Sequence, residues 1–179
     1  MTNQKEKIEL LIKVFDNQQT LISNTDTKSN ISLSLQTFIL TAVLGTSIIV
    51  DTFNNVLGYS CLMRILYFSF FISFIITSIL GLAYCILVFK PRPPQEKKET
   101  KRMGITYFGH IIKYKNSDAY LEAFNDIKSA EIIKEFAFQN YNLAVILEQK
   151  MKYIKLSTTL LFINILIGMT LFLFSLIIK

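Results

Sequence analysis

Residues 23–50, SNTDTKSNISLSLQTFILTAVLGTSIIV, join a polar segment directly to an apolar one. The part from 31 to 50 carries no charged side chain, and a helix of that length crosses roughly 30 Å of hydrocarbon. Backbone N–H and C=O groups in lipid must be satisfied within the segment, which favours a helix. The stretch therefore predicts a membrane-spanning helix with an unusually polar beginning.

Two further uncharged runs, 65–89 and 156–178, are also long enough to cross a membrane. Hydrophobic residues make up 51% of the 179 residues, more than a soluble domain of this length usually carries. We predict an all-α membrane protein with three transmembrane helices and cytoplasmic helical extensions, whose long helices are continuous with the first and third spans. The predicted segments are an N-terminal amphipathic helix at 1–30, a transmembrane hairpin at 31–89, a basic helical module at 90–155 and a third span at 156–179.

Lys and Arg residues predict the orientation of these spans. The connection at 51–64 holds Arg64 as its one basic residue, whereas segment 90–155 is rich in Lys and Arg. Basic residues are retained on the cytoplasmic side, so the N-terminus and the 90–155 module are predicted to be cytoplasmic. The polar N-terminal residues and the long first apolar run do not resemble a cleavable signal peptide.

Two helix boundaries are left open by the pattern. Segment 5–23 has apolar residues three to four positions apart, which indicates an amphipathic helix. This helix either continues into the first span or breaks near Asn24, because short polar side chains compete with the helical backbone. Further along, Asn116 is predicted to cap one helix, and Ser129 is a candidate cap for another that runs unbroken into the third span.

The residue types needed for catalysis or for a metal site are scarce. The chain holds one histidine, His110, and two cysteines, Cys61 and Cys85, in no arrangement typical of a nucleophile or a metal ligand set. The cysteines are interpreted as small packing residues. We therefore predict that the protein is not an enzyme and that it carries no metal and no cofactor.

A ladder of polar residues follows one face of the first span. Positions three to four apart share a face of a helix, and a polar face in a membrane either packs against another helix or lines a wetted path. Both interpretations stay open, and the second requires several copies of the chain around a common axis. The pore-lining candidates are Asn30, Ser34, Thr37, Thr41, Leu44 and Ile48.

Several residues beside this ladder have separate predicted roles. Ser29, Ser32 and Gln36 form an adjacent strip on the cytoplasmic half of the span. Asp26 and Lys28 lie at its mouth and are predicted structural residues that pair with each other or with a neighbouring subunit, since lipid exposure of a charge is costly.

Basic and aromatic residues also cluster after the second span. Cations bind phosphate groups and aromatic rings stack on bases, so the composition suits a nucleotide or a short oligonucleotide. It equally suits anionic lipid of the inner leaflet. The candidate ligand-binding residues, with Lys28 added from the mouth of the first span, are Lys28, Lys97, Lys98, Lys101, Arg102, Tyr107, His110, Lys113 and Lys115.

Four short motifs occur in order along the chain: Asp26-x-Lys28, Tyr107-Phe108-Gly109-His110-Ile111, Asp118-Ala119-Tyr120-Leu121 and Lys152-Tyr153. With these motifs the chain resembles, over nearly its whole length, the transmembrane effectors of Pycsar-type anti-phage defence. It is also similar to small effectors found beside nucleotidyltransferases in related systems such as Hailong.

The resemblance implies a multi-pass effector of the bacterial inner membrane that answers a nucleotide signal made by a partner cyclase or nucleotidyltransferase. In Pycsar that signal is a cyclic pyrimidine mononucleotide, and in Hailong it is a short DNA oligomer. The implied function is a homo-oligomeric, nucleotide-gated ion channel or pore that disrupts the membrane and arrests growth. The alternative is a non-conducting membrane anchor or scaffold that recruits a cytoplasmic partner.

Overall fold

The computed structural model describes residues 2–45, 47–90 and 104–178. Its packing divides the chain into two units, one made of 1–23 with 91–148 and the other of 24–90 with 149–179. Every regular element in the described part of the chain is helical, so the predicted all-α class is confirmed there. Following the predicted topology, we call the unit of 1–23 and 91–148 the cytoplasmic unit. The unit of 24–90 and 149–179 is called the apolar unit.

The helices differ greatly in length. They are α1 (Thr2–Gly45), α2 (Ser47–Asn55), a 3-10 turn (Val56–Gly58), α3 (Cys61–Phe89), α4 (Phe108–Ile111), α5 (Ser117–Asn125) and α6 (Ser129–Ile177). Both α1 and α6 contribute residues to both units. No cis peptide bond and no residue with positive φ occurs among the described residues.

Helix α1 passes through Asn24 without a break, so the continuous alternative is the correct one at this point. Threonine hydroxyls of α1 donate to the carbonyl four residues earlier, as Thr20 Oγ1 does to Asp16 O at 2.9 Å. Such a contact satisfies a hydroxyl without interrupting the helix, so hydroxyl side chains are compatible with a continuous α1. The described part of α1 reaches Gly45, and Thr46 lies outside the described residues, so the predicted limit near residue 50 stays a prediction.

The two predicted caps have different outcomes. Asn116 caps α5 as predicted, because its Oδ1 accepts a 2.9 Å hydrogen bond from Ala119 N. Ser129 is instead the first residue inside α6. The carbonyl of Lys128 accepts from Glu131 N at 2.8 Å, and the Lys128 N–H donates to Glu131 Oε2 at 3.3 Å. From Ser129 the helix continues unbroken to Ile177, as the sequence predicts.

Two helices in the described residues, α3 and α6, are long and apolar enough to cross a membrane. The first apolar run includes Thr46, which lies outside the described residues, so the first predicted span, 31–50, stays a prediction. The apolar unit has a core centred on Tyr67 and Phe74, both fully buried. The Tyr67 hydroxyl donates to Ile49 O at 3.4 Å, and its ring lies 6.4 Å from that of Phe174 in an edge contact.

In the cytoplasmic unit, α1 packs on α6. The rings of Phe15 and Phe136 meet edge to face with centroids 6.1 Å apart. Nearby, Asn140 Nδ2 donates a 3.0 Å hydrogen bond to Leu11 O. The amphipathic pattern predicted for the N-terminal segment thus has its partner in the same chain.

Candidate functional site

Gln36 lies at the centre of a buried polar cluster in the apolar unit. Its side chain is 1% exposed, and its Nε2 donates to Ser157 Oγ at 2.9 Å and to Ser157 O at 3.2 Å. Gln36 Oε1 is buried and accepts no hydrogen bond from the described residues. A buried amide with one unpaired oxygen costs free energy, so its nitrogen contacts must hold the side chain in place.

Three helices supply the rest of this cluster. Ser32 Oγ lies 3.1 Å from Ser157 Oγ, which in turn lies 2.9 Å from Cys85 Sγ. Ser29 Oγ donates to Cys85 O at 3.1 Å. Because α1 provides Ser29 and Ser32, α3 provides Cys85 and α6 provides Ser157, the cluster joins all three helices. We call these residues, with Gln36, the polar clasp.

Gly81 leaves the space that the Gln36 side chain occupies in the polar clasp. A Cβ atom at this position would collide with Oε1 of Gln36, so a larger residue would displace the amide. The Gly81 carbonyl also accepts from Ser157 Oγ at 3.3 Å. Small residues let membrane helices approach closely enough for such hydrogen bonds.

The two cysteines have different surroundings. Cys85 is buried in the clasp, in agreement with a small packing residue, whereas Cys61 is exposed at the start of α3. The described residues contain no group of three or more His, Cys, Asp or Glu side chains that could hold a metal ion.

Asp26 forms an ion pair with Lys150 of α6, which lies in the same unit. The side chain of Lys150 is 12% exposed and that of Asp26 is 33% exposed. The partner of Asp26 within this chain is therefore Lys150 and not Lys28, which corrects the predicted pairing of Asp26 with Lys28, while pairing with a neighbouring subunit stays a prediction. Lys28 is exposed, because two residues along a helix place it on another face.

The predicted pore-lining residues form an outward face of α1. Asn30, Ser34, Thr37, Thr41 and Leu44 are all exposed in the single chain. The side chain of Ile48 lies outside the described residues. Thr37 Oγ1 and Thr41 Oγ1 each donate to the carbonyl four residues earlier, at 2.9 Å in both cases.

Helix α1 therefore has two polar faces in the apolar unit. Successive residues of an α-helix are rotated by about 100°, so Ser34 lies nearly opposite Ser32 and Gln36. The clasp face is buried within the chain, and the face of Asn30, Ser34, Thr37 and Thr41, which we call the outer face, is not. A helix that is polar on both sides is poorly suited to contact lipid on its outer face.

In the cytoplasmic unit, one carboxylate holds the segment that precedes α4. Glu135 Oε2 accepts hydrogen bonds from Ile105 N at 3.1 Å, from Thr106 N at 3.2 Å and from Thr106 Oγ1 at 2.8 Å. Gln139, one turn further along α6, donates from Nε2 to Thr106 Oγ1 at 2.5 Å. The Tyr120 hydroxyl donates to Ile105 O at 2.9 Å and fixes the segment from the other side.

The candidate ligand residues of this unit are brought together only in part. Tyr107 and His110 are half-buried, and their rings meet edge to face with centroids 5.4 Å apart. Lys113 and Lys115 are exposed a short distance along the chain. Lys97, Lys98, Lys101 and Arg102 lie outside the described residues, and Lys28 belongs to the apolar unit.

Several residues of these sites were not anticipated from the sequence. Ser157, Lys150 and Glu135 occupy ordinary positions in a long helical pattern, and only folding brings them to their partners. The role of Asn164 could have been predicted, because a polar amide within an uncharged apolar run usually faces another helix. It is 1% exposed and accepts a hydrogen bond from Thr77 of α3.

Comparison with known protein families identifies the family of the chain. The family model PycTM, described as the Pycsar effector protein domain, matches residues 10–178. No curated protein and no solved structure matches the chain. Because the family match covers nearly the whole sequence, the chain belongs to the Pycsar effector protein family, the membrane effectors of Pycsar anti-phage defence.

Proposed function

We propose that this effector forms a homo-oligomeric ion channel or pore in the bacterial inner membrane and that a nucleotide signal gates it. Opening would disrupt the membrane and arrest growth of the infected cell. The proposal includes three membrane spans, a cytoplasmic N-terminus and a cytoplasmic module at 90–155. The signal would come from a partner cyclase or nucleotidyltransferase, which acts on the channel only through its product.

The observation that carries the proposal is the exposed outer face of α1. The same helix already satisfies its clasp face through α3 and α6, so the outer residues are not needed to hold the chain together. Asn30, Ser34, Thr37 and Thr41 follow the helix for three turns, which is the distribution that a wetted path requires. Several copies of α1 arranged around an axis would enclose such a path.

The ligand would be recognised in the cytoplasmic unit. Tyr107 supplies an aromatic face for a base, and His110, Lys113 and Lys115 supply donors for phosphate oxygens. Membership in the Pycsar family favours a cyclic pyrimidine mononucleotide, while a short oligonucleotide stays the second candidate ligand. Binding shifts the channel between closed and open states only to the extent that the ligand's affinity for them differs.

Planar-bilayer recording of the purified full-length protein tests this function. Cyclic UMP, cyclic CMP and a short DNA oligomer are added in turn, with cyclic AMP as the purine control. A conductance that one of the pyrimidine ligands or the oligomer switches on or off is the expected result. A protein that never conducts, with or without these ligands, would rule the channel out.

The second candidate function is a non-conducting anchor that recruits a cytoplasmic partner. One observation favours it: the hydroxyls of Thr37 and Thr41 are already bonded to their own helix, which lowers the cost of exposing them to lipid. An anchor predicts growth arrest without ion flux, so measuring membrane potential during growth arrest separates the two functions.

A further inference from the structure

The segment that contains Ile105 and Thr106 presents an arrangement of donors suited to an anion. Two successive backbone N–H groups and the Thr106 hydroxyl all converge on the carboxylate of Glu135, at distances between 2.8 and 3.3 Å. Backbone N–H groups arranged in this way form concavities that bind phosphate in many proteins. In the present structure the chain itself supplies the anion. We call residues 104–107 the anion turn.

We propose that the anion turn is a phosphate-binding site and that Glu135 is its internal competitor. This inference rests on the proposed function and deepens it, because it assigns the phosphate of the nucleotide to specific donors. The two oxygens of a phosphate group replace the two carboxylate oxygens at the same N–H groups. Glu135 therefore holds the site in its unliganded state until the nucleotide displaces it.

The side chains of His110 and Tyr107 lie at the anion turn. A Cβ atom at Gly104 would lie 2.7 Å from His110 Nδ1 and 3.2 Å from Glu135 Oε1, so the imidazole and the carboxylate flank the same glycine. A side chain at this position would force them apart. The ring of Tyr107 lies next to His110, where a base attached to the phosphate has an aromatic surface within reach.

Displacement of Glu135 would also weaken the contact between α6 and the anion turn. Glu135 and Gln139 both project from α6 to Thr106, and α6 continues to Ile177 through the apolar unit. A phosphate in the anion turn leaves the Glu135 carboxylate without its three donors and repels it. The ligand thus favours the arrangement in which the turn is released from α6, which supplies the difference in affinity that gating needs.

The direction in which Glu135→Ala changes the Kd for the nucleotide tests whether Glu135 competes with phosphate. Full-length protein in phosphatidylcholine nanodiscs is titrated with cyclic UMP and cyclic CMP, and the Kd of Glu135→Ala is compared with that of the unmodified protein. Loss of the competitor should tighten binding about tenfold, because hydrogen bonds to a charged group are no longer broken on binding. Unchanged or weaker binding would overturn the inference, since a merely structural Glu135 predicts that result.

Glu131→Ala is the matched control. It removes the same charge from the same helix one turn earlier, where the carboxylate accepts from Lys128 N at 3.3 Å. Its Kd should stay within about twofold of the unmodified value. An equal tightening in both variants would show a general charge effect and contradict a specific site. Glu135→Gln keeps the size of the side chain and should also bind the nucleotide more tightly than the unmodified protein, which tests the competition even if the alanine variant folds poorly.

A second measurement does not depend on any nucleotide. Hydrogen exchange of the Ile105 and Thr106 amides should be slow in the unmodified protein, fast in Glu135→Ala in chloride buffer, and slow again when inorganic phosphate is added. Failure of phosphate to restore protection would overturn the anion site while leaving gated conductance untouched. Recovery in phosphatidylglycerol nanodiscs without added phosphate would overturn the nucleotide as the source and assign the site to a lipid headgroup.

Discussion

Gln36 and Ser157 join the first and last long helices of the apolar unit through a 2.9 Å hydrogen bond from the amide nitrogen to the hydroxyl oxygen. The two residues are 121 positions apart in the chain and are both fully buried. Around this bond, Ser32 and Cys85 complete a contact among α1, α3 and α6. The outer face of α1 is free to serve another purpose because this inner face already provides the packing.

Gln36→Leu should destabilise the apolar unit by about 1–3 kcal/mol, because the donor of the clasp is lost and the Ser157 carbonyl loses a partner. Thermal unfolding in nanodiscs, followed by circular dichroism, measures the effect. Ser34→Leu on the outer face is the control and should leave the unfolding temperature nearly unchanged. Equal losses in the two variants would contradict the assignment of inner and outer faces.

Gly81→Ala should also lower the unfolding temperature, because the added methyl group collides with the Gln36 amide. The amide must then move away from Ser157, and the loss of its two hydrogen bonds there costs about 1–3 kcal/mol. Gly168→Ala is the matched control in α6: its Cβ would meet Val43 and Phe74 at 3.6 and 3.7 Å, which are ordinary contact distances. A Gly81→Ala variant as stable as Gly168→Ala would show that the close approach of α1 and α3 is not required.

The Asp26–Lys150 ion pair should show coupling in a double-mutant cycle. Asp26→Asn and Lys150→Gln each remove the pair, and the double variant should lose less stability than the two single losses added together, by about 1 kcal/mol. Lys152→Gln changes an exposed residue of the same helix and serves as the control. Strict additivity in chemical unfolding of the Asp26 and Lys150 variants would show that the pair contributes nothing.

Thr37→Leu and Thr41→Leu should abolish growth arrest and conductance, because leucine side chains dewet a path lined by the outer face. Thr159→Leu on α6 is closely matched: Thr159 is exposed, and its hydroxyl donates to the carbonyl four residues earlier at 3.0 Å. The control should retain full activity in a colony-forming assay after signal induction. Retained activity of the Thr37 and Thr41 variants would favour the anchor.

Helical class and long helix continuity were predictable from residue pattern because they depend on local chemistry. The uncharged runs at 65–89 and 156–178 correspond to the apolar parts of α3 and α6. The Asn116 cap was predictable for the same reason, since its hydrogen bond reaches only to Ala119. A local error concerned Ser129, where Lys128 takes the capping role through its backbone.

The candidate sites were harder to predict, because their partners lie far apart in the chain. The sequence predicted that Asp26 pairs with Lys28 or with a neighbouring subunit, yet a helix turns residues two positions apart to different faces, and Lys150 of the same chain provides a pair. The strip of Ser29, Ser32 and Gln36 was visible in the sequence. The sequence did not show that this strip is buried while the neighbouring outer face is exposed.

Pattern and composition thus determined the secondary structure of this effector. Its long apolar runs form helices, because a helix satisfies all backbone N–H and C=O groups within the segment. Tertiary packing decided which polar face of α1 turns inward and which carboxylate fills the anion turn. Both choices depend on where α3 and α6 place a hydroxyl, a glycine or a backbone N–H. Such placement is a property of the assembled helices and of no single one of them.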